Sequence, residues 1–276
     1  MSGSDDRVNS PDELTDDQQL RYSRHLLLND WDEARQARVG RSRALVLGAG
    51  GLGAPALLYL AAAGVGQITV VDPDVVELSN LQRQVIHQTA RVGQPKVESA
   101  RAQLATLNPD VQVHTVARAA DAAWLAEHLP GHDVVLDCTD LFDTRHAINQ
   151  AAMRSGVPLV SASAVGWDGQ IAVFDPRQPE APCYACLFPP DSAPTETRCA
   201  LLGIFAPVVG ALGVMQAGEA LKLLAGLDGA PGHQSLAGRL LMLDGRQWRW
   251  TELRARRRAD CPVCAQRSGE RPSVHS

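Results

Sequence analysis

The run Gly48-Ala49-Gly50-Gly51-Leu52-Gly53 constrains the fold more than any other stretch of the chain. It follows a short apolar segment, Ala44–Leu47, that reads as a buried strand. It opens Leu52–Ala63, which reads as a helix, with Pro55 tolerable in the first turn. Gln67–Val71 is the next apolar strand. Strand, glycine turn, helix, strand is the form of a βαβ unit on a parallel sheet. Glycines let the backbone turn tightly and approach a phosphate, and the helix start offers unpaired N–H groups. Asp72 ends the second strand, 19 residues after Gly53, where an acid can bond ribose hydroxyls. The motif alone also fits NAD or FAD, so it leaves the nucleotide open.

The alternation continues with a helix over 94–107, a strand over 111–116, a helix over 121–129 and a strand over 134–138. A helix over 143–155 and a strand over 158–163 follow. The pattern then changes to a strand over 170–174, a loop over 176–198 with six prolines and a long apolar helix over 205–224. The last unit is a hairpin, 240–244 with 247–253, around Asp244-Gly245. Thr15-Asp-Asp-Gln18 has the capping-box form and starts an N-terminal helix with Leu20, Leu26, Leu27 and Leu28 as its apolar positions. The charged stretch 30–43 connects it to the first strand. The expected fold is α/β, with a Rossmann-like, doubly wound, mainly parallel sheet extended by antiparallel strands. Residues 1–12 read as a disordered leader, 13–266 as one domain with its nucleotide part at about 43–165, and 267–276 as a disordered tail.

Composition narrows the function. A net charge of −5 argues against a general nucleic-acid binder, and 4% aromatic residues argue against base stacking. The polar N-terminus lacks the apolar core of a signal peptide, and the longest apolar run, Ile204–Met215, is 12 residues against about 20 for a membrane span. The expectation is a soluble cytoplasmic protein with no membrane partner and no stable disulfides.

The six cysteines then need another use. Cys183-Tyr-Ala-Cys186 and Cys261-Pro-Val-Cys264 are two knuckles separated by 74 residues. Two such pairs can complete a closed, structural zinc site, or they can stay redox or unpaired dithiols. Cys138 falls in an apolar strand and reads as core. Cys199 stands alone between a proline-rich loop and the long helix, and Arg198 beside it can lower its pKa. It is either a reactive thiol or a spare one. The eight histidines suggest no metal site.

Ser79-Asn-Leu-Gln-Arg83-Gln is a polar stretch just past Asp72. Lys96 lies near the start of a helix, and Asp140 just beyond the fourth strand. Ligands of open α/β sheets bind at strand C-terminal ends. A dinucleotide needs little cationic help, whereas a triphosphate under attack needs Arg, Lys and a metal to offset developing charge.

Five runs in this order, Arg21-Tyr-Ser-Arg24, Gly48–Gly53, Leu78-Ser-Asn-Leu-Gln-Arg-Gln84, Gly93-Gln-Pro-Lys96 and Asp137-Cys-Thr-Asp140, resemble the ThiF/MoeB/HesA family over about residues 13–266. That family is similar to ubiquitin-activating enzymes and adenylates small sulfur-carrier proteins. The resemblance implies that Gly51 lies against ATP and that Asp72 holds the ribose. It implies that Ser79, Asn80 and Arg83 contact ATP, that Lys96 stabilises the α-phosphate, and that Asp140 holds Mg²⁺. Arg24 is implied to reach the γ-phosphate of a partner subunit, hence a homodimer. The family's paired knuckles imply Zn²⁺ on Cys183, Cys186, Cys261 and Cys264. Its cysteine at the position of Cys199 can, in thiamine-pathway members, link covalently to the carrier. Leu141 and His25 depart from the family's usual Asn and Gln.

The implied reaction joins ATP and the C-terminal carboxylate of a ubiquitin-like carrier to give acyl-adenylate and pyrophosphate. A carboxylate is ionised at neutral pH and needs no general base, which suits a site of Arg, Lys and Asp. Sulfur would come from a separate sulfurtransferase or cysteine desulfurase, since no length remains for a fused one. The carrier would dock on about residues 166–266. Ser161–Gly166 and 244–264 look closer to thiamine-pathway members and Gln94–Arg101 closer to molybdopterin members, with the balance towards thiamine. The competing expectations are a nicotinamide-dependent oxidoreductase, which leaves Arg83, Lys96 and the knuckles without a use, and a non-catalytic scaffold of the same fold. The basic run Arg254, Arg256–Arg258 reads as a solvated face, with docking of an acidic carrier as the weaker alternative.

Overall fold

The computed structural model describes residues 13–192 and 203–265. Its strands are β1 (Arg43–Leu47), β2 (Gln67–Val71), β3 (Gln112–Val116), β4 (Val134–Asp137), β5 (Leu159–Val165), β6 (Asp168–Phe174), β7 (Arg239–Asp244) and β8 (Arg249–Arg254). They form one eight-stranded sheet in the order β3-β2-β1-β4-β5-β6-β7-β8. The first five run parallel, and β6, β7 and β8 are added antiparallel. This is the expected architecture.

The parallel strands read as continuous apolar runs because both faces are covered. Along β1, Ala44 and Val46 enter one core while Leu45 and Leu47 enter the other, as a period of two requires. The first face carries α3 (Gly53–Ala62), α4 (Lys96–Leu107) and α8 (Ala206–Leu224). The long α8 packs on α3 and crosses β4, β5 and β6. The second face carries α5 (Ala122–His128) and α6 (Phe142–Ser155). No helix among the described residues is long and apolar enough to cross a membrane.

Three expectations change. The charged stretch 30–43 contains a helix, α2 (Glu33–Arg41), capped by Asp32, whose carboxylate accepts from the Arg35 N–H. It buries Gln36, Ala37 and Val39 under its charged surface. The proline-rich loop contains a short turn of helix, α7 (Tyr184–Leu187), inside the first cysteine knuckle. On α1 (Asp16–Leu26) the Thr15 capping box forms as expected. Of its leucines, Leu26 packs half-buried on the core as expected, but Leu20 is exposed, as are Leu27 and Leu28 just past the helix end, while Tyr22 is buried. Polar anchors add to this contact, with Tyr22 Oη accepting from Asn108 Nδ2 (3.0 Å) and Arg21 donating to the Leu107 carbonyl (3.2 Å).

Leu141 has a clear local consequence. It is the N-cap of α6, its extended backbone suits that role, and its side chain caps nothing. Asn there would accept from a free N–H of the first turn. Leu141→Asn is expected to raise stability by about 1 kcal/mol, read from the urea midpoint. An unchanged midpoint would mean that the helix start is satisfied without a cap.

Candidate active site

The glycine turn joins β1 to α3, beside the exit of β4, at the point where the order of the parallel strands reverses. Gly48 has a left-handed φ of +100°, and a Cβ there would lie 2.8 Å from the Cys138 carbonyl. A Cβ on Gly53 would lie 1.8 Å from the Gly48 carbonyl. The turn therefore closes only with glycine at both positions. At Gly51 a Cβ would meet Val209 of α8 at 3.2 Å and Arg83 at 3.6 Å. Gln84 lies buried against Gly50, and among the described residues its Oε1 has no hydrogen-bond partner.

Asp72 is buried behind this turn. Its Oδ2 accepts from the Ala49 N–H (2.7 Å) and its Oδ1 from the Asp74 N–H (2.8 Å). Two backbone donors fix the carboxylate, and each oxygen keeps a lone pair for a further donor. Chain 74–76 then runs beside chain 93–96. The Val76 N–H donates to the Gln94 carbonyl (2.8 Å), and the Lys96 N–H to the Asp74 carbonyl (2.9 Å). This pairing brings Lys96, the first residue of α4, next to Asp74, and its Nζ lies 2.7 Å from Asp74 Oδ2. The lysine stem is buried and the Asp74 side chain is 62% exposed. Asp74 as the partner of Lys96 has no signature in the sequence.

Ser79 and Asn80 lie on a short 3-10 turn, Leu78–Asn80, where both side chains donate to Glu77 Oε2 at 3.3 Å. Arg83 folds back to donate to the Ser79 carbonyl (3.2 Å). On the other side of the turn, buried Asp137 accepts from Thr139 N (3.1 Å), Thr139 Oγ1 (2.7 Å) and Ser161 Oγ (2.8 Å). These bonds fix the chain leading to Asp140, which is exposed. Cys138 is buried, and desolvation pushes its thiol well above its ordinary pKa. It belongs to the core, as expected.

One described site residue does not join this cluster. Arg24 is on α1, against the C-terminal end of α4, roughly 16 Å of helix away from Lys96. Cys199 lies outside the described residues.

The knuckles converge on the far face of the sheet. The sulfurs of Cys183, Cys186, Cys261 and Cys264 are buried and lie within 4.8 Å of one another. Neighbouring Sγ–Sγ distances are 3.9 Å (183–186), 3.6 Å (183–261) and 3.4 Å (186–264). A tetrahedron with Zn–S bonds of ~2.3 Å has edges of about 3.8 Å, so the four sulfurs fit zinc. Hydrogen bonding from Cys183, with the Arg258 N–H at 3.5 Å, favours thiolate at Cys186. The basic run is correspondingly not just a solvated face. Arg257 donates to the carbonyls of Pro179 (3.0 Å), Cys264 and Ala265 (3.0 Å), strapping one knuckle to the other. Arg258 pairs with Asp260.

Comparison with known proteins agrees with this geometry. The chain is 43% identical over 245 residues to the sulfur carrier protein ThiS adenylyltransferase of Escherichia coli (strain K12), covering 89% of this chain and 94% of that one. It is 43% identical over 254 residues to the molybdopterin-synthase adenylyltransferase of the same organism, covering 92% and 99%. Among solved structures, E. coli MccB matches with a TM-score of 0.78 at 22% identity, covering 93% of this chain and 74% of that one, which is a likeness of fold. Residues 22–263, from the first helix into the second cysteine knuckle, match the ThiF family, and the chain belongs to it.

Proposed function

We propose that this protein uses ATP to adenylate the C-terminal carboxylate of a ubiquitin-like sulfur-carrier protein, releasing pyrophosphate and preparing the carrier for thiocarboxylate formation. One observation carries the reading. A glycine turn, a fixed acid behind it (Asp72), a buried lysine held by Asp74 (Lys96) and an arginine against Gly51 (Arg83) meet at one switch point. Gly51 lets the nucleotide approach the backbone. Asp72 accepts from the ribose, and Gln84 Oε1, without a partner among the described residues, offers a second place for a ligand donor. Ser79, Asn80 and Arg83 bind the nucleotide, with Arg83 on the phosphates. The carrier carboxylate attacks the α-phosphorus in line, and pyrophosphate leaves. Lys96 offsets the charge that builds on the α-phosphate oxygens, an interaction strongest in the transition state.

Asp140 is a hard oxygen donor at the open end of β4 and would hold Mg²⁺, which supplies charge neutralisation on the phosphates. The four cysteines would hold a structural Zn²⁺. We place the nucleotide part at about 43–165 and the carrier-binding and zinc part at about 166–266. Arg24 completes the site of a second copy in a homodimer. In support, it lies far from its own Lys96, beside the exposed Leu20, Leu27 and Leu28, an apolar surface of the kind a second copy covers. Cys199 remains the candidate for covalent linkage to the carrier, and sulfur comes from a separate sulfurtransferase or cysteine desulfurase. Equal identity to the two E. coli enzymes leaves the carrier ThiS-like or MoaD-like, in thiamine or molybdenum-cofactor biosynthesis.

The test is ATP–pyrophosphate exchange with each carrier. Exchange that requires a carrier with an intact C-terminus is expected. No ATP binding and no exchange with either carrier would sink the reading.

A further inference from the structure

His87 follows the polar run 79–84 and is 6% exposed, and its ring is fully used. Nε2 lies 2.9 Å from the Ala49 carbonyl oxygen, in the middle of the glycine turn. Nδ1 lies 2.9 Å from Ser99 Oγ, one turn into α4 from Lys96. A carbonyl can only accept, so Nε2 carries the proton, and Nδ1 then accepts from the Ser99 hydroxyl. Burial lowers the pKa of His87 below its usual 6.5, with Lys96 and Arg91 adding to that and the Ala49 bond and Asp72 opposing it.

The glycine turn gains a specific restraint from this ring. The Ala49 N–H is bound by Asp72, and the Ala49 carbonyl by His87. Both polar groups of the one non-glycine residue among 48–51 are therefore held by side chains from other segments. Glycine-rich backbone loses the most conformational freedom on ordering, so tethers at its centre have the most to fix. The same ring reaches the helix that carries Lys96, so it sets the turn and the lysine in one frame.

We propose that His87 is a positioning residue for ATP: its neutral Nε2–H tautomer fixes the glycine turn relative to α4, so that the backbone around Gly51 is ordered before the nucleotide arrives. This inference rests on the adenylation reading. It adds a residue that touches neither ATP nor carrier and acts through Ala49 and Ser99.

Steady-state exchange by the full chain tests it, with ATP binding measured by calorimetry and folding checked by thermal melt. His87→Leu fills the space but donates nothing. It is expected to raise KM for ATP about tenfold and to leave KM for the carrier unchanged. His87→Gln can place an N–H near the Ala49 carbonyl and is expected to recover most of the loss. A residue serving only to pack the core would give the reverse order, with Leu better than Gln. That order, or equal ATP affinity in wild type and His87→Leu, would overturn the inference while leaving adenylation intact. A wild-type protein that binds no ATP would overturn both.

Discussion

Lys96→Ala is expected to reduce ATP–pyrophosphate exchange by about 10²–10³-fold while the protein stays folded. The fold should survive because of where the partner lies. Asp74 is 62% exposed, so removing Lys96 leaves a carboxylate that water can solvate and no buried unpaired charge. The catalytic loss should be large because the ammonium enters the site from a buried stem at the start of α4, with few rotamers open to it. An interaction made mainly in the transition state lowers kcat more than it raises KM for ATP. Lys96→Arg should not rescue, since a planar guanidinium has no room where a buried lysine stem now packs. Exchange within about threefold of wild type in Lys96→Ala would remove Lys96 from the chemistry.

The second large effect concerns the tetrathiolate site. One zinc per chain is expected from elemental mass spectrometry. Cys186→Ser is expected to lose the metal and to melt about 10 °C lower. No strand or α-helix holds residues 255–264; Arg257 and the Arg258 N–H reach across to the first knuckle and its flanks, the Ala255 N–H donates to the Gly238 carbonyl, and Cys261 and Cys264 pack in the core. Metal binding is therefore coupled to ordering of that segment. Hydrogen exchange should rise at 255–265 and around α7, and remain low in β1, β2 and β4, whose Ala44, Val46, Ile68, Val70, Val134 and Leu136 pack in the core on the sheet face opposite the knuckles. A metal-free wild type with an unchanged melting temperature would contradict a structural zinc.

How much of this could be read from the sequence depended on whether one segment or several produce each feature. β1, the glycine turn and α3 were legible because strand burial, turn geometry and helix start follow one another in the chain. α2 was not, because its buried face consists of Gln36, Ala37 and Val39, with charged residues around it. Leu20, Leu27 and Leu28 misled for the converse reason, since hydrophobicity does not specify which surface will cover a side chain. Each Cys-x-x-Cys pair was legible from its spacing, whereas the meeting of the two pairs across 74 residues was implied only by the family resemblance. The Lys96–Asp74 pair was not, because it depends on two loops running side by side. His87 was hidden likewise: as one histidine in a polar stretch it is unremarkable until Ala49 and Ser99 are brought to its two nitrogens.

The separation of the two knuckles has a consequence during synthesis. Cys183 and Cys261 stand 78 positions apart. At about 5–20 residues per second, translation needs roughly 4–16 s to go from one to the other. For that interval the nascent chain carries Cys183 and Cys186 without their partner cysteines while the parallel strands β1–β5 are already synthesised. An oxidant or a stray metal can reach the pair in that window and not afterwards. A ribosome that stops before residue 261 leaves a chain with its parallel strands made and its first cysteine pair unpartnered.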